Sequence, residues 1–252
     1  MYKILLDSED YLAGITVKDR GLAEEGNMAL HTSNHLEAII GNRKQLAKEL
    51  QLSLDQFVCA NQTHSDHFYK VKARDGGREA YALDDAINDV DALYTFEKGL
   101  VLTTFTADCV PVIFYSEADG IIGTIHSGWK GTVQSITEKV FTHIAEKEHV
   151  DLSNMSVHIG TCLSQSNFEV DADVADQFKA LAYANKMIDF DEERQKYLID
   201  NQAVVQMQCE RVGIKRNNII IDQTCTMNAD QGFSYREDKQ TGRHMTFIMQ
   251  KE

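Results

Sequence analysis

The 252 residues contain a single proline, Pro111, and no segment rich in glycine, serine or proline. No composition shift marks a linker, so one domain spanning residues 1–252 is expected. No Cys-x-x-Cys pair occurs among the five cysteines. That removes zinc ribbons and thioredoxin-like redox motifs, and an odd number of scattered thiols suits a reducing compartment. No run approaches the ~20 apolar residues of a membrane helix, and the N-terminus turns acidic at Asp7-Ser8-Glu9-Asp10 before a signal-peptide core can form. A cytoplasmic protein without a membrane partner is expected. Positive charge is also scarce: 25 Lys and Arg face 39 Asp and Glu, for a net charge of −14. Such a surface repels polyanions, which argues against nucleic acid and requires any phosphate-bearing ligand to be met by a local basic pocket.

What is present is 43% hydrophobic residues, enough for a large core. Glu37 to Leu50 carries Ile39, Ile40, Leu46, Ala47 and Leu50 near helical spacing, and Phe57-Val58-Cys59-Ala60 reads as a short strand. Val101 to Phe105, Val110 to Tyr115 and Ile121 to Ile125 are β-branched or aromatic runs between turns, as buried strands are. Thr132 to Ala145 places Val133, Ile136, Val140 and Ile144 on one helical face. Strands at Ser156 to Ile159 and Ile219 to Ile221 follow, with helices around 172–184 and 200–212. The alternation lacks strict βαβ regularity, so the expected class is α/β, or α+β in layers with mixed sheets.

His64, Cys109 and His126 each fall where an apolar run gives way to a polar turn, the position at which such folds gather site residues. Imidazole and thiolate are donors that zinc and copper prefer, and three protein ligands leave a fourth position for chemistry. Each residue alone is ordinary, since most such cysteines are small core hydrophobes and most such histidines are hydrogen-bonded structural residues. Asp108 beside Cys109 is placed to accept a hydrogen bond from a ligating imidazole. Ser127-Gly128-Trp129-Lys130-Gly131 joins a strand to a helix and reads either as an anion-binding turn or as a plain glycine turn.

The same three residues also permit a metal-free reading, with Cys109 as thiolate nucleophile and His126 or His64 as base, which would make the protein a Cys–His hydrolase. A multinuclear copper oxidase needs His-x-His or His-Cys-His pairs, and the nine histidines contain none. His35-Leu36-Glu37 lacks the Pro-Cys-x-x-Cys partner of the zinc nucleobase deaminases. A non-catalytic binding protein is a further reading.

Asn61-Gln62-Thr63-His64-Ser65, Thr106-Ala107-Asp108-Cys109-Val110-Pro111-Val112 and Ile125-His126-Ser127-Gly128-Trp129-Lys130-Gly131-Thr132 resemble the signature segments of the YfiH-like family. That family was long labelled laccase-domain or polyphenol oxidase and is now described as purine nucleoside phosphorylases. Gly41-Asn42-Arg43, Asp91-Ala92-Leu93, Phe168-Glu169-Val170, Phe233-Ser234-Tyr235-Arg236 and Thr241-Gly242-Arg243 extend the resemblance over most of the chain. It implies a layered α/β fold and a zinc, or copper as in the older label, held by His64, Cys109 and His126. It also implies phosphorolysis of adenosine, inosine and methylthioadenosine, with deamination of adenosine. The small-molecule partners would then be purine nucleosides and phosphate. By their chemistry, Arg43, Lys130 and Arg236 are candidates for the phosphate, with Asn61 and Gln62 as further substrate contacts. The chain departs from the family pattern at Val17-Lys18, where a Thr-Arg pair is frequent, and at Ser166-Asn167, where paired cysteines are frequent.

Overall fold

A computed structural model describes all residues from Met1 to Glu252. Its two main sheets meet face to face, because their strands alternate apolar side chains to both sides. The first sheet has five strands in the order Tyr2–Asp7, Tyr11–Thr16, His244–Gln250, Val101–Thr106, Phe57–Val58. The second has six, in the order Ile219–Ile221, Ser156–Ile159, Val110–Ser116, Ile121–Ser127, Ala92–Thr95, Phe68–Lys70. Pairing is mostly antiparallel, with parallel contacts at Phe57–Val58, at Phe68–Lys70 and between Ser156–Ile159 and Ile219–Ile221.

Leu102 and Ile248 of the first sheet pack with Leu93, Ile113 and Ile122 of the second, which forms the shared core. The alternate residues face outward and are covered by helices. Val101, Phe105, Met245 and Phe247 pack against Leu46 and Ala47 of the helix Leu36–Glu49. Val110, Val112, Phe114 and Ile125 pack against Val140, Phe141 and Ile144 of Ile136–Lys147 and Val205 and Cys209 of Asn201–Arg211. The result is a helix–sheet–sheet–helix sandwich, the layered mixed α/β class expected from the chain. No helix is long and apolar enough to cross a membrane.

Several expected elements are divided. The helix over 132–145 is two, Trp129–Val133 and Ile136–Lys147, broken where Ser135 takes a left-handed φ of 60°. Phe57 to Ala60 is also two strands, since Ala60–Asn61 leaves the first sheet to pair with Ile87–Asn88. The segment 172–184 is α-helical only over Ala172–Lys179. A hairpin, Tyr2–Asp7 with Tyr11–Thr16, and the C-terminal strand His244–Gln250 were not anticipated. The strand Tyr11–Thr16 is buried along its whole length, so it lacks the polar alternation that identifies a half-exposed strand.

Arg43 is a correction to the expected phosphate contacts. Its side chain is fully enclosed: Nε donates to the Met28 carbonyl at 2.7 Å, Nη1 to the carbonyls of Glu79 and Ala80, and Nη2 lies 3.7 Å from the Glu79 carboxylate. Burial raises Glu79 to about 7 against the opposing pull of Arg43. Arg43 therefore ties the first helix to the 79–80 turn and is not available to a ligand. Arg43→Ala is expected to destabilise the fold by about 3–5 kcal/mol, because it leaves Glu79 and three carbonyls buried without a partner. Chemical denaturation of the purified variant measures this.

Candidate metal centre and its two cavities

Three chain segments converge at one end of the sandwich. Cys109 sits on the turn that carries the chain from Val101–Thr106 in the first sheet to Val110–Ser116 in the second. His126 is near the end of Ile121–Ser127, and His64 lies on the loop after Ala60–Asn61. Their donor atoms all lie within 4.8 Å of one another. The Cys109 Sγ is 3.6 Å from His64 Nε2, and the two imidazoles meet edge to face at 4.7 Å between ring centres. Both His64 (φ 63°) and Asp108 (φ 84°) hold left-handed backbone conformations, which are uncommon for residues with a side chain and tend to gather at functional sites.

Asp91 organises this cluster. Its carboxylate accepts hydrogen bonds from the backbone N–H groups of Thr63 (3.2 Å), His64 (3.1 Å) and Ser65 (2.7 Å), from the Ser65 hydroxyl (2.7 Å) and from His126 Nδ1 (2.7 Å). One buried side chain thus fixes the loop bearing the first histidine and the tautomer of the second. With Nδ1 occupied as donor, His126 keeps Nε2 free as a lone-pair donor toward the cluster, the arrangement that supports a ligating imidazole. Gly128 supplies the space: a Cβ there would stand 2.4 Å from His64 Cδ2 and 3.1 Å from Cys109 Sγ.

Asp108, expected to accept a hydrogen bond from one of the cluster histidines, is occupied elsewhere. Asp108 accepts from the Thr226 hydroxyl and the Arg236 backbone N–H, both at 2.6 Å, and so pins the 226 and 236 segments over the cavity. The carboxylate that reaches a histidine of the cluster is Asp91. The sequence signal for it was a lone carboxylate at the head of the apolar strand Ala92–Thr95, and nothing local paired it with a histidine 35 residues away.

The charges reinforce one another. Burial opposes ionisation of Cys109, but the His126 imidazolium, and after it His64, hold the thiol down at about 6. Burial likewise disfavours a charged His126, yet the Cys109 thiolate and Asp91 raise it to about 9. Burial pushes Asp91 up, and its bonds to His126 and Ser65 outweigh that and leave it below the usual carboxylate range. Without a metal the group is a carboxylate–imidazolium–thiolate chain; a divalent cation would replace the proton between the nitrogen and sulfur donors. The donor set of two nitrogens and one sulfur fits zinc or copper.

Two cavities reach the cluster and share the wall formed by His64, Ala107, Cys109 and Tyr235. The larger, about 440 Å³, is lined on its apolar side by Trp129, Leu163, Phe168, Val170 and Val174, and on its polar side by Asp108, Asp171, Asp173, Asn201, Arg236 and Lys239. The smaller, about 300 Å³, adds His31, Gln62, Phe105, His126 and Arg243. Arg236 lines the larger cavity while its Nη1 donates to the Glu169 carbonyl at 2.9 Å. Gln62 lines the smaller one with its amide tied to Phe105 and Thr104. Asn61 is exposed beside Asn88, and Lys130 is exposed over Trp129, so neither lines a cavity. At the positions that depart from the family pattern, Lys18 pairs with Glu25, and Asn167 donates to Cys225 Sγ, which also receives the Ser164 N–H.

A family model described as multi-copper polyphenol oxidoreductase laccase matches residues 13–251. The chain is 35% identical over 244 residues to purine nucleoside phosphorylase SSP1584 of Staphylococcus saprophyticus, covering 94% of this chain and 91% of that protein. It is 31% identical over 252 residues to purine nucleoside phosphorylase YlmD of Bacillus subtilis, covering 98% and 91%. The crystal structure of the hypothetical protein YfiH of Bacillus licheniformis superposes with a TM-score of 0.91 at 29% identity, over 98% of this chain and 99% of that one. That of YlmD from Geobacillus stearothermophilus superposes with a TM-score of 0.90 at 27% identity, over the full length of both.

Proposed function

The chain belongs to the multi-copper polyphenol oxidoreductase laccase family, and from that membership and the site we infer that it is a metal-dependent purine nucleoside phosphorylase. The reaction would cleave a purine nucleoside with inorganic phosphate to the free base and ribose 1-phosphate, in keeping with the names of its relatives. The observation that carries this reading is the His64, Cys109 and His126 cluster, with donors within 4.8 Å, opening onto a cavity of about 440 Å³ with one apolar wall. A volume of that size suits a small organic ligand. We assign zinc as the resident ion. Copper meets the same donor preferences, but the chain has no His-x-His pair from which a multinuclear copper centre could be built.

His64, Cys109 and His126 would hold the ion, which when bound supplies Lewis acidity at the shared wall of the two cavities. Trp129 and Phe168 offer flat apolar surface for a purine ring, and Leu163, Val170 and Val174 exclude water beside it. In the reaction a phosphate oxygen bonds to C1′ as the C1′–N9 bond breaks. The electron pair leaves with the purine, which takes up a proton. Deamination of adenosine to inosine, and phosphorolysis of methylthioadenosine, are further activities we assign to the same site.

Elemental analysis combined with chromatography of adenosine reactions, with and without phosphate and before and after chelation, tests this. One zinc per chain is expected, with adenine released only when phosphate is present, inosine formed in both conditions, and both products lost on chelation and regained with zinc. A second reading, Cys109 as a nucleophile with His126 as its acid–base partner, is favoured by the thiol held at about 6. Full activity after chelation together with inactivation by iodoacetamide would establish that reading instead, and no adenine release from any metal form would sink the phosphorylase assignment.

A further inference from the structure

In a chain of net charge −14, a phosphate co-substrate has to find cations that are not already neutralised. Arg43 is buried against Glu79, and Lys130 lies outside both cavities. A third cavity of about 610 Å³, which shares His31 and Arg243 with the smaller cavity and Lys239 with the larger, has no apolar residue in its lining. Its polar groups include Thr32, Ser33, Asn34 and Gln240, and the one carboxylate is Glu24, already held by His35 at 2.6 Å.

Arg243 stands between this polar cavity and the metal cluster and lines both the polar cavity and the smaller of the two cavities that reach Cys109, His64 and His126. Its Nη1 is anchored by the carbonyls of Thr241 at 2.6 Å and Gly242 at 3.0 Å, which fix the plane of the guanidinium without neutralising it, and it forms no ion pair. Lys239 likewise forms no ion pair. Its Nζ lies 4.2 Å from the Tyr235 ring, while the Arg243 guanidinium lies 5.4 Å from the same ring, so two uncompensated cations flank one aromatic side chain at the metal cluster.

We propose that Arg243 and Lys239 form an oxyanion subsite for inorganic phosphate, entered through the polar cavity. A fixed guanidinium presents paired donors to phosphate oxygens, and a mobile ammonium adds charge. The inference rests on the phosphorylase reading and sharpens it. With the base against Trp129 and Phe168, displacement at C1′ needs the incoming oxygen on the side away from the base, and Arg243 belongs to the cavity from which those two residues are missing. Arg236, the cation expected from the sequence, lines only the base side, whereas Lys239 lines both the base-side cavity and the polar one and so borders the reacting centre from both.

The test is a titration of inorganic phosphate into the zinc-loaded enzyme, followed both by initial rates and by 31P line broadening without nucleoside, for the wild type, Arg243→Gln and Lys239→Gln. For Arg243→Gln we expect the phosphate KM to rise about tenfold or more, and for Lys239→Gln about threefold, with the nucleoside KM changed less than about twofold. Phosphate broadening should weaken in the same order. An unchanged phosphate KM in both variants, or an equal rise in both KM values, overturns the subsite. Broadening that is lost in Arg243→Gln while the wild type releases no purine supports the subsite and rejects only the phosphorylase reading. Lys239→Gln keeps the test decisive if Arg243→Gln fails to fold.

Discussion

Gly128→Ala is expected to abolish metal binding, and activity with it, in a protein that still folds. The backbone of Gly128 has φ −65° and ψ 162°, which alanine adopts without strain, so the substitution acts only through the atom it adds. That atom would stand 2.4 Å from His64 Cδ2, 3.0 Å from His64 Nε2 and 3.1 Å from Cys109 Sγ. Carbon atoms do not approach that closely, and the obstructed groups are the free ends of two side chains of the proposed metal site, which can swing away without disturbing either sheet. Removing a supporting contact behind a metal ligand costs 10- to 100-fold in affinity, and displacing the ligands themselves should cost at least about 100-fold. Zinc content after equilibrium dialysis, read beside the circular dichroism spectrum, checks this. A variant that retains stoichiometric zinc with wild-type affinity would show that the three residues do not act as one site.

Asp91→Asn is expected to weaken both the metal centre and the fold. Asparagine keeps the shape but presents one acceptor and one NH2 group to five donors: three backbone N–H groups, the Ser65 hydroxyl and His126 Nδ1. At least one donor must be left facing another, and His126 is released to the tautomer that protonates Nε2. Metal affinity should fall about 10- to 100-fold, and stability by about 2–4 kcal/mol for buried donors left unsatisfied. The pH dependence follows from the sign of the shift. Asp91 is held below the ordinary carboxylate range in the folded protein, so its contribution is present above about pH 4 and is lost as the pH falls through the folded value. The stability gap between wild type and variant, measured on metal-free protein by denaturant titration, should therefore be largest near neutrality and narrow as the pH falls below the ordinary carboxylate range. Asp108→Asn serves as the contrast, because Asp108 touches Thr226 and Arg236 rather than a ligating histidine; its metal affinity should match the wild type.

The legible parts of this protein are those in which local sequence carries the physics. The core strands Val101–Thr106, Val110–Ser116 and Ile121–Ser127 were readable because a short apolar run between turn residues forms few other structures. His64, Cys109 and His126 could be named because turns at strand ends hold side chains free of the ladder. The C-terminal strand His244–Gln250 was not readable, since its partners Tyr11–Thr16 and Val101–Thr106 lie far away in the chain, and the local hairpin of Tyr2–Asp7 with Tyr11–Thr16 was not readable because its second strand is buried along its whole length and lacks polar alternation.

Charge and residue type by themselves determined that anions are repelled by most of the surface, and that two imidazoles and a thiol stand beside strand ends. Only the tertiary structure decided which charges are free to act. Arg43 and Arg243 are the same chemical group, yet one is enclosed with Glu79 and the other faces a polar cavity. Asp91 and Asp108 are both carboxylates beside apolar strands, yet only Asp91 reaches an imidazole of the cluster. The energy of such groups is set by neighbours within a few ångströms, and those neighbours come from segments dozens to hundreds of residues away, an arrangement that exists only once the two sheets have closed on each other.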